Sequence, residues 1–322
     1  MKRNEFLKSL GLATLAAPFA VATISCERKK KGEHEPGVSE AGGTARNLFF
    51  KISLAEWSLN DQLFSGKLTN LDFPAKAKND FGIDAVEYVN QFFKDKAQDR
   101  AYLADLKMRC SDLGVKSVLI MCDEEGGLGN IQAQARHQAV DNHKKWVEAA
   151  QFLGCHSIRV NAYGEGSRED VAQAATDGLT RLSEFARDYD INVIVENHGG
   201  FSSDGQWLSQ VIEATKMDNC GTLPDFGNFC VLLENDECKE WYDRYQGIRE
   251  MMPFAKGVSA KSMNFDSNGN CVETDYNKML RIVKDAGYRG YIGIEYEGSK
   301  LSEDEGIRAT KKLLERVGAT LS

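Results

Sequence analysis

Ile191-Asn-Val-Ile-Val-Glu-Asn-His-Gly-Gly200 is the stretch from which the fold reads outward. Four β-branched residues in five positions read as a buried strand, and the two glycines close it with a loop. Positions two apart on a strand share a face, so Glu196 and His198 are expected to project the same way. A carboxylate beside an imidazole at a strand end suits a divalent metal or a proton-transfer site. The plainer alternative is an ion pair or a turn, since polar strand ends are often structural.

Outward from this strand one arrangement repeats. A helical pattern ends in a glycine, and a short β-branched run follows within a residue or two. It occurs as Phe81-Gly82-Ile83, Leu113-Gly114-Val115, Leu153-Gly154-Cys155 and Ala286-Gly287-Tyr288. Glycine there is the expected left-handed residue after a helix, where a β-carbon would be penalised. The helical segments are amphipathic: Leu103, Leu106, Cys110 and Leu113 form one stripe, and Ile307, Thr310, Leu314 and Val317 another. Ser302 and Glu305 make a capping box at the start of the last helix.

Strands are expected near 50–54, 84–89, 115–121, 156–161, 191–197, 220–224, 256–261 and 290–296, each followed by a helical segment. Eight such units over 47–322 make this an α/β chain with a single-domain (β/α)8 TIM barrel, whose usual length is about 250 residues. A doubly wound open sheet is the runner-up; no Gly-x-Gly-x-x-Gly follows the first strand to support it.

Residues 1–26 read as an export signal. Lys2, Arg3 and Lys8 flank the start of an apolar run from Leu10 to Ile24, which ends in Ser25-Cys26. That pattern resembles a bacterial lipoprotein signal with Cys26 as the lipidated residue, too short for a confident membrane span. A twin-arginine motif is spoiled by Asn4, so the export route is left open. Residues 27–46 read as a flexible tether. The expected location is therefore outside the cytoplasm, periplasmic or membrane-anchored, with membrane contact only through the N-terminal lipid. Net charge is −8 and no long basic run lies beyond the N-terminus, which argues against nucleic acid as a partner. Seven cysteines remain after Cys26, without a Cys-x-x-Cys pair; they read as small core residues with one bridge at most.

A barrel places its chemistry at the C-terminal ends of the strands. Those ends carry Glu56-Trp57, Glu87 with Asn90, Cys122-Asp123, Arg159 with Asn161 and Tyr163, Glu196 with His198, Asp225 with Asn228, Ser259 with Lys261, and Glu295 with Glu297. Glu196, Asp225 and Glu295 should converge, and three crowded carboxylates need a cation to stay ionised. Oxygen ligands with one imidazole suit Mn²⁺, Mg²⁺, Co²⁺ or Zn²⁺. Taken singly, Asp225 or Glu295 could instead pair with Lys261 or Arg159. Lys261 reads equally as an acid–base group or as a counter-charge. Arg159 reads as a binder of substrate oxygens, and Trp57, Tyr163 and Trp207 as sugar-stacking or packing aromatics. His137 and His143 fall on a helix, expected to be far from the strand ends, and His156 at the wrong end of its strand.

Val-Glu196-Asn-His, Pro-Asp225-Phe-Gly-Asn, Ser-Ala-Lys261-Ser and Gly-Ile-Glu295-Tyr resemble, in order, the strand-end motifs of the xylose-isomerase-like TIM barrels. The resemblance spans residues 47–320 and implies metal ligation by Glu196, Asp225 and Glu295, with Glu196 and Glu295 also exchanging the substrate proton. The family's strand-7 histidine falls at Ser259, a poor ligand, so His198 is the candidate for the imidazole. Asn228 stands where the endonucleases of the group have another metal histidine, which argues against nuclease chemistry.

The expected function is a divalent-metal-dependent sugar isomerase or epimerase. It would abstract a proton beside the carbonyl of an uncharged sugar or keto-sugar, with Glu196, Glu295 and Lys261 as catalytic groups. Glu87, Arg159, Asn161, Trp57, Asn228 and Ser259 are the expected substrate contacts. A 3-keto-glycoside lyase using the same chemistry is one alternative, and a non-catalytic sugar-binding lipoprotein another. The partner is a small carbohydrate. A homo-oligomer is compatible with the resemblance by analogy alone.

Overall fold

The computed structural model describes residues 48–322. The export signal, the tether and Cys26 lie outside the described residues. Ten strands follow in chain order: β1 (Lys51–Ala55), β2 (Ala85–Val89), β3 (Lys116–Met121), β4 (Ser157–Val160), β5 (Asn192–Glu196), β6 (Cys220–Leu223), β7 (Cys230–Glu234), β8 (Glu237–Trp241), β9 (Val258–Ser262) and β10 (Tyr291–Tyr296). Eight of them form one parallel sheet in the order β6-β5-β4-β3-β2-β1-β10-β9, each within two residues of its expected place. The sheet curls until its ends meet. Parallel bridges pair Thr222 with Ala255 and Asp225 with Ser259, and Ser259 N–H donates to the Pro224 carbonyl at 2.9 Å.

The helices return the chain between strands, and local chemistry sets where they stop. Helices Phe73–Phe81 and Arg100–Leu113 end at Gly82 and Gly114, both at φ +63°. The helix Arg168–Arg187 lacks that glycine, and Asp190 adopts φ +57° instead just before β5. Aspartate tolerates the left-handed region better than most L-residues because its short side chain can bond locally. The capping box of Ser302 and Glu305 forms as expected at the last helix, Glu303–Leu321.

Two cores result. The larger lies between sheet and helices, around Trp146, Phe73, Tyr88, Leu179 and Leu208. The smaller lies inside the barrel, from Ala55, Ala85, Val89, Leu119, Met121, Ile194 and Leu223. An unexpected antiparallel hairpin, β7–β8, is inserted after β6 and is closed by a Cys230–Cys238 disulfide. Cys110, Cys122, Cys155, Cys220 and Cys271 are free and buried, as small core residues should be. Among the described residues no helix is long and apolar enough to cross a membrane.

Candidate metal centre and active site

Strand alternation stacks the inward positions in pairs that climb toward the mouth. On β9 and β10, Ser259 and Lys261 lie beside Gly293 and Glu295 in register. On β5 the inward step runs from Ile194 to Glu196, and just past β6 it reaches Asp225. Apolar side chains fill the lower layers and charged ones the upper.

Glu196, Asp225 and Glu295 meet there, each offering an oxygen within 4.8 Å of the others. All three are buried. Asp225 is set by a local turn: its Oδ1 accepts from the backbone N–H groups of Gly227 at 2.9 Å and Asn228 at 2.8 Å. Asn197 clamps that turn to β5, accepting from Asp225 N–H at 2.7 Å and donating to the carbonyls of Asp225 and Asn228. Asn228 in turn donates to Glu196 Oε1 at 3.1 Å. Ser259 Oγ lies 2.6 Å from Asp225 Oδ2 and 2.8 Å from Glu295 Oε2. A hydroxyl has one proton, so it satisfies only one of these carboxylates at a time. Arg159 Nε approaches Glu196 Oε2 to 2.9 Å. The pair is misaligned for a hydrogen bond, and both atoms stay without one among the described residues. We read the contact as Coulombic.

The charge balance supports a bound cation. Burial raises the carboxyls of Glu196 and Asp225 far above their ordinary range, against the opposing pull of Arg159 on the first and Lys261 on the second. Burial also works to raise Glu295, but Lys261 and the Ser259 hydroxyl overcome it and hold it ionised. The three acids therefore cannot all be charged on the protein's own cations. An orphaned Glu196 oxygen, a serine shared by two acids and an all-oxygen donor set fit a hard divalent ion.

Above the triad opens a cavity of about 630 Å³. Arg159 grips Asp123 through both terminal nitrogens, at 2.6 and 3.3 Å, and Asn161 donates to the same carboxylate at 2.8 Å. Burial alone would raise Asp123; the guanidinium prevails and holds it at about 2. Lys261 Nζ sits 3.0 Å from Glu297 and 3.4 Å from Glu295. Burial disfavours its charge, yet Glu295, Asp225 and Glu297 raise it well above the ordinary lysine value. Of the two roles expected for Lys261, this arrangement favours a fixed cation and hydrogen-bond donor over a base.

The structure thus gathers Glu196, Asp225, Glu295, Ser259, Lys261, Arg159, Asn161 and Asn228, with Trp57 on the cavity wall. Three expectations need correction. Glu87 is no cavity-wall contact: it is 1% exposed, takes a 2.5 Å hydrogen bond from Ser53, and fills the space left by Gly293. Strand alternation points it inward as expected, but into a lower layer. Ser259 faces its two carboxylates rather than the open cavity. His198 is not grouped with the triad: its Nδ1 lies 2.6 Å from the Tyr163 hydroxyl, because β5 ends at Glu196 and alternation lapses beyond it. Trp207 is buried, with its indole N–H bonded to the Arg168 carbonyl at 3.1 Å.

His143 was misplaced by sequence reasoning. It is buried on the helix Ala133–Leu153, yet it lines the cavity. Its Nδ1 is 2.7 Å from the Ala139 carbonyl and so carries the proton. Burial holds the ring neutral, leaving Nε2 as an acceptor. The helical period places His143 one turn after Ala139, but nothing local says which helix face meets a loop. Asp123 was visible as a strand end; its pairing with Arg159 was not.

A closed parallel barrel with buried acids at its C-terminal mouth has the layout of a (β/α)8 enzyme. The chain belongs to the xylose isomerase-like TIM barrel family, which matches over residues 75–317. Three solved structures show the shared fold. A D-tagatose 3-epimerase-like protein superposes with TM-score 0.65 at 17% identity, covering 85% of this chain and 100% of that one. The IOLI protein with a bound zinc atom gives 0.63 at 15% identity, covering 84% and 99%. A xylose isomerase-like TIM barrel protein from Mycobacterium smegmatis in complex with magnesium gives 0.62 at 14%, covering 84% and 97%. No curated protein matches the chain by sequence.

Proposed function

We propose that the protein is a divalent-metal-dependent sugar isomerase or epimerase that moves a proton next to the carbonyl of an uncharged sugar or keto-sugar. The observation that carries this reading is the buried triad Glu196, Asp225 and Glu295, short of positive charge. These residues would hold the metal, with His198 and His143 as the nearby imidazoles. A bound divalent ion supplies Lewis acidity toward a carbonyl and its neighbouring oxygen.

The chain's own groups supply the rest. Glu196 and Glu295, which meet at the site from β5 and β10, are fitted to take up and return the substrate proton. Lys261 and Arg159 stay charged and stabilise negative charge that develops on substrate oxygens. Asp123, ionised and fixed by Arg159 and Asn161, accepts hydrogen bonds from sugar hydroxyls. The epimerase-like and metal-bound folds reported above support the reading, at fold level only.

Two measurements test it. Purified protein should carry about one equivalent of metal, lost in Glu196→Gln and in Asp225→Asn. Incubated with ketoses or 3-keto-glycosides in D₂O, it should wash deuterium into the carbon beside the carbonyl. A protein that takes up no metal even after loading would sink the proposal. Release of an aglycone without deuterated sugar product would turn it to the lyase.

We also propose that the protein is exported and anchored through Cys26. The basic and apolar N-terminus supports this, and so does the Cys230–Cys238 bridge, since such bonds persist in oxidising compartments. Cys26→Ala should move the protein from the membrane to the soluble fraction on cell fractionation. An unchanged distribution would refute the anchor.

A further inference from the structure

Trp57 belongs to two surroundings at once. It lines the catalytic cavity, and its ring also joins Phe64 at 6.0 Å and Phe92 at 6.1 Å between centroids. Phe64 and Phe92 are themselves 5.0 Å apart, edge to face. The three come from separate places: Trp57 from the turn after β1, Phe64 from the end of the helix Asn60–Phe64, and Phe92 from the turn Asn90–Lys96 after β2. Trp57 and Phe92 rest on the small core inside the barrel. Phe64 adds nothing to that core, for it is 61% exposed. A phenyl ring held in water by two aromatic neighbours, at the edge of a catalytic cavity, is an apolar shelf continuous with the site.

The rest of the cavity wall has the opposite chemistry. Asp123, Arg159, Lys261 and Glu295 line it, and they suit a ring dense in hydroxyls. Asp123 follows β3, the neighbour of β2, and Glu295 ends β10, the neighbour of β1, so polar groups flank the shelf on both sides of the mouth. The cavity, about 630 Å³, is in the range that takes a drug-sized ligand.

We propose that the Trp57–Phe64–Phe92 shelf is a subsite for a second ring, so that the substrate is a glycoside and not a free monosaccharide. The inference rests on the sugar reading given above and names its substrate class. The reacting sugar lies over the carboxylates, and the ring joined to it stacks on one ring face of the aromatic cluster. A pyranose offers a face of C–H groups and an aryl aglycone a π-face; both stack on aromatic rings.

The test uses the full chain and calorimetric dissociation constants. The probes are methyl and phenyl β-D-glucopyranoside, the matching galactopyranosides, and cellobiose. The wild type should bind at least one two-ring probe about tenfold tighter than its methyl glycoside. Trp57→Ala should abolish that preference. Phe64→Ala should reduce it about threefold while leaving the methyl glycoside within twofold. A gain for the phenyl glycosides alone identifies an aryl aglycone, and one for cellobiose alone a second sugar.

Equal wild-type affinity for one-ring and two-ring probes overturns the subsite and leaves the sugar reading standing. Equal losses for every probe in both variants overturn it in favour of packing. So would a change in light-scattering mass in Phe64→Ala with unchanged affinities, which would assign the shelf to a second copy of the chain. Binding of none of the probes overturns the subsite, and the sugar reading then stands or falls on the deuterium exchange described above.

Discussion

The two cores of this barrel are built from one set of strands and obey opposite rules. Between sheet and helices the large buried side chains are mostly apolar, Phe73 and Leu179 among them, or are tyrosines with bonded hydroxyls, as Tyr88 is to Ser117 at 2.9 Å. Inside the barrel, apolar residues and Glu87 fill the lower layers, and the upper layers hold Glu196, Asp225, Glu295, Arg159 and Lys261. Each buried acid costs desolvation that nothing apolar returns. The outer core is organised for stability. The inner one gives up stability for a site whose charges are held by buried partners.

That contrast can be broken by substitution, beginning with the largest expected effect. Glu295→Gln should cut turnover by about 10²–10⁴-fold, the usual worth of a positioned acid–base group. Its melting temperature should fall by only a few degrees, because Lys261 loses one carboxylate partner and keeps Glu297. A variant that unfolds while the folded fraction keeps full activity would place Glu295 in the structural class. Leu182→Ala, in the helix Arg168–Arg187 of the outer core, should do the reverse. Denaturant titration should show a loss of about 2–5 kcal/mol, with activity per folded molecule unchanged.

A smaller effect sharpens the boundary between the layers. Burial pushes Glu87 up to about 8, with Ser53 opposing and Glu295 and Glu196 adding to the shift. The native state then keeps a proton that the unfolded chain releases near its ordinary value of 4.5. Stability from this group is fully present below pH 4.5 and is lost as pH rises to about 8, by at most about 1.4 kcal/mol per pH unit. Glu87→Gln should flatten that slope in thermal melts between pH 5 and 9. An unchanged slope would mean that Glu87 is ionised in the fold. Least of all should follow from replacing Cys230 and Cys238 together by serine. The hairpin they close is largely exposed, so limited proteolysis should find β7–β8 while the global melting temperature shifts by a few degrees at most.

Much of this was legible without coordinates. Helix-stop glycines and β-branched runs repeat in phase, so the eight barrel strands follow from local preferences, while the inserted β7–β8 hairpin does not. The acids at 196, 225 and 295 were also readable, because strand ends in a barrel all point to one mouth. Legibility ends where alternation ends. His198 lies two residues past Glu196, but the strand has stopped, and its ring turns to Tyr163. Glu87 has the right parity and the wrong depth.

The sequence by itself determined the eight barrel strands, the family, the three converging acids and their shortage of positive charge, since these depend on period-two spacing and composition. Only the tertiary structure decided which cation serves which acid: Arg159 toward Asp123 and Glu196, Lys261 toward Glu295 and Glu297. It alone brought His143 from a helix to the cavity and Phe64 beside Trp57 and Phe92. The physical reason is range. Propensity and periodicity act over a few residues, whereas a side chain's depth, partner and charge state depend on neighbours that only the closed barrel brings together.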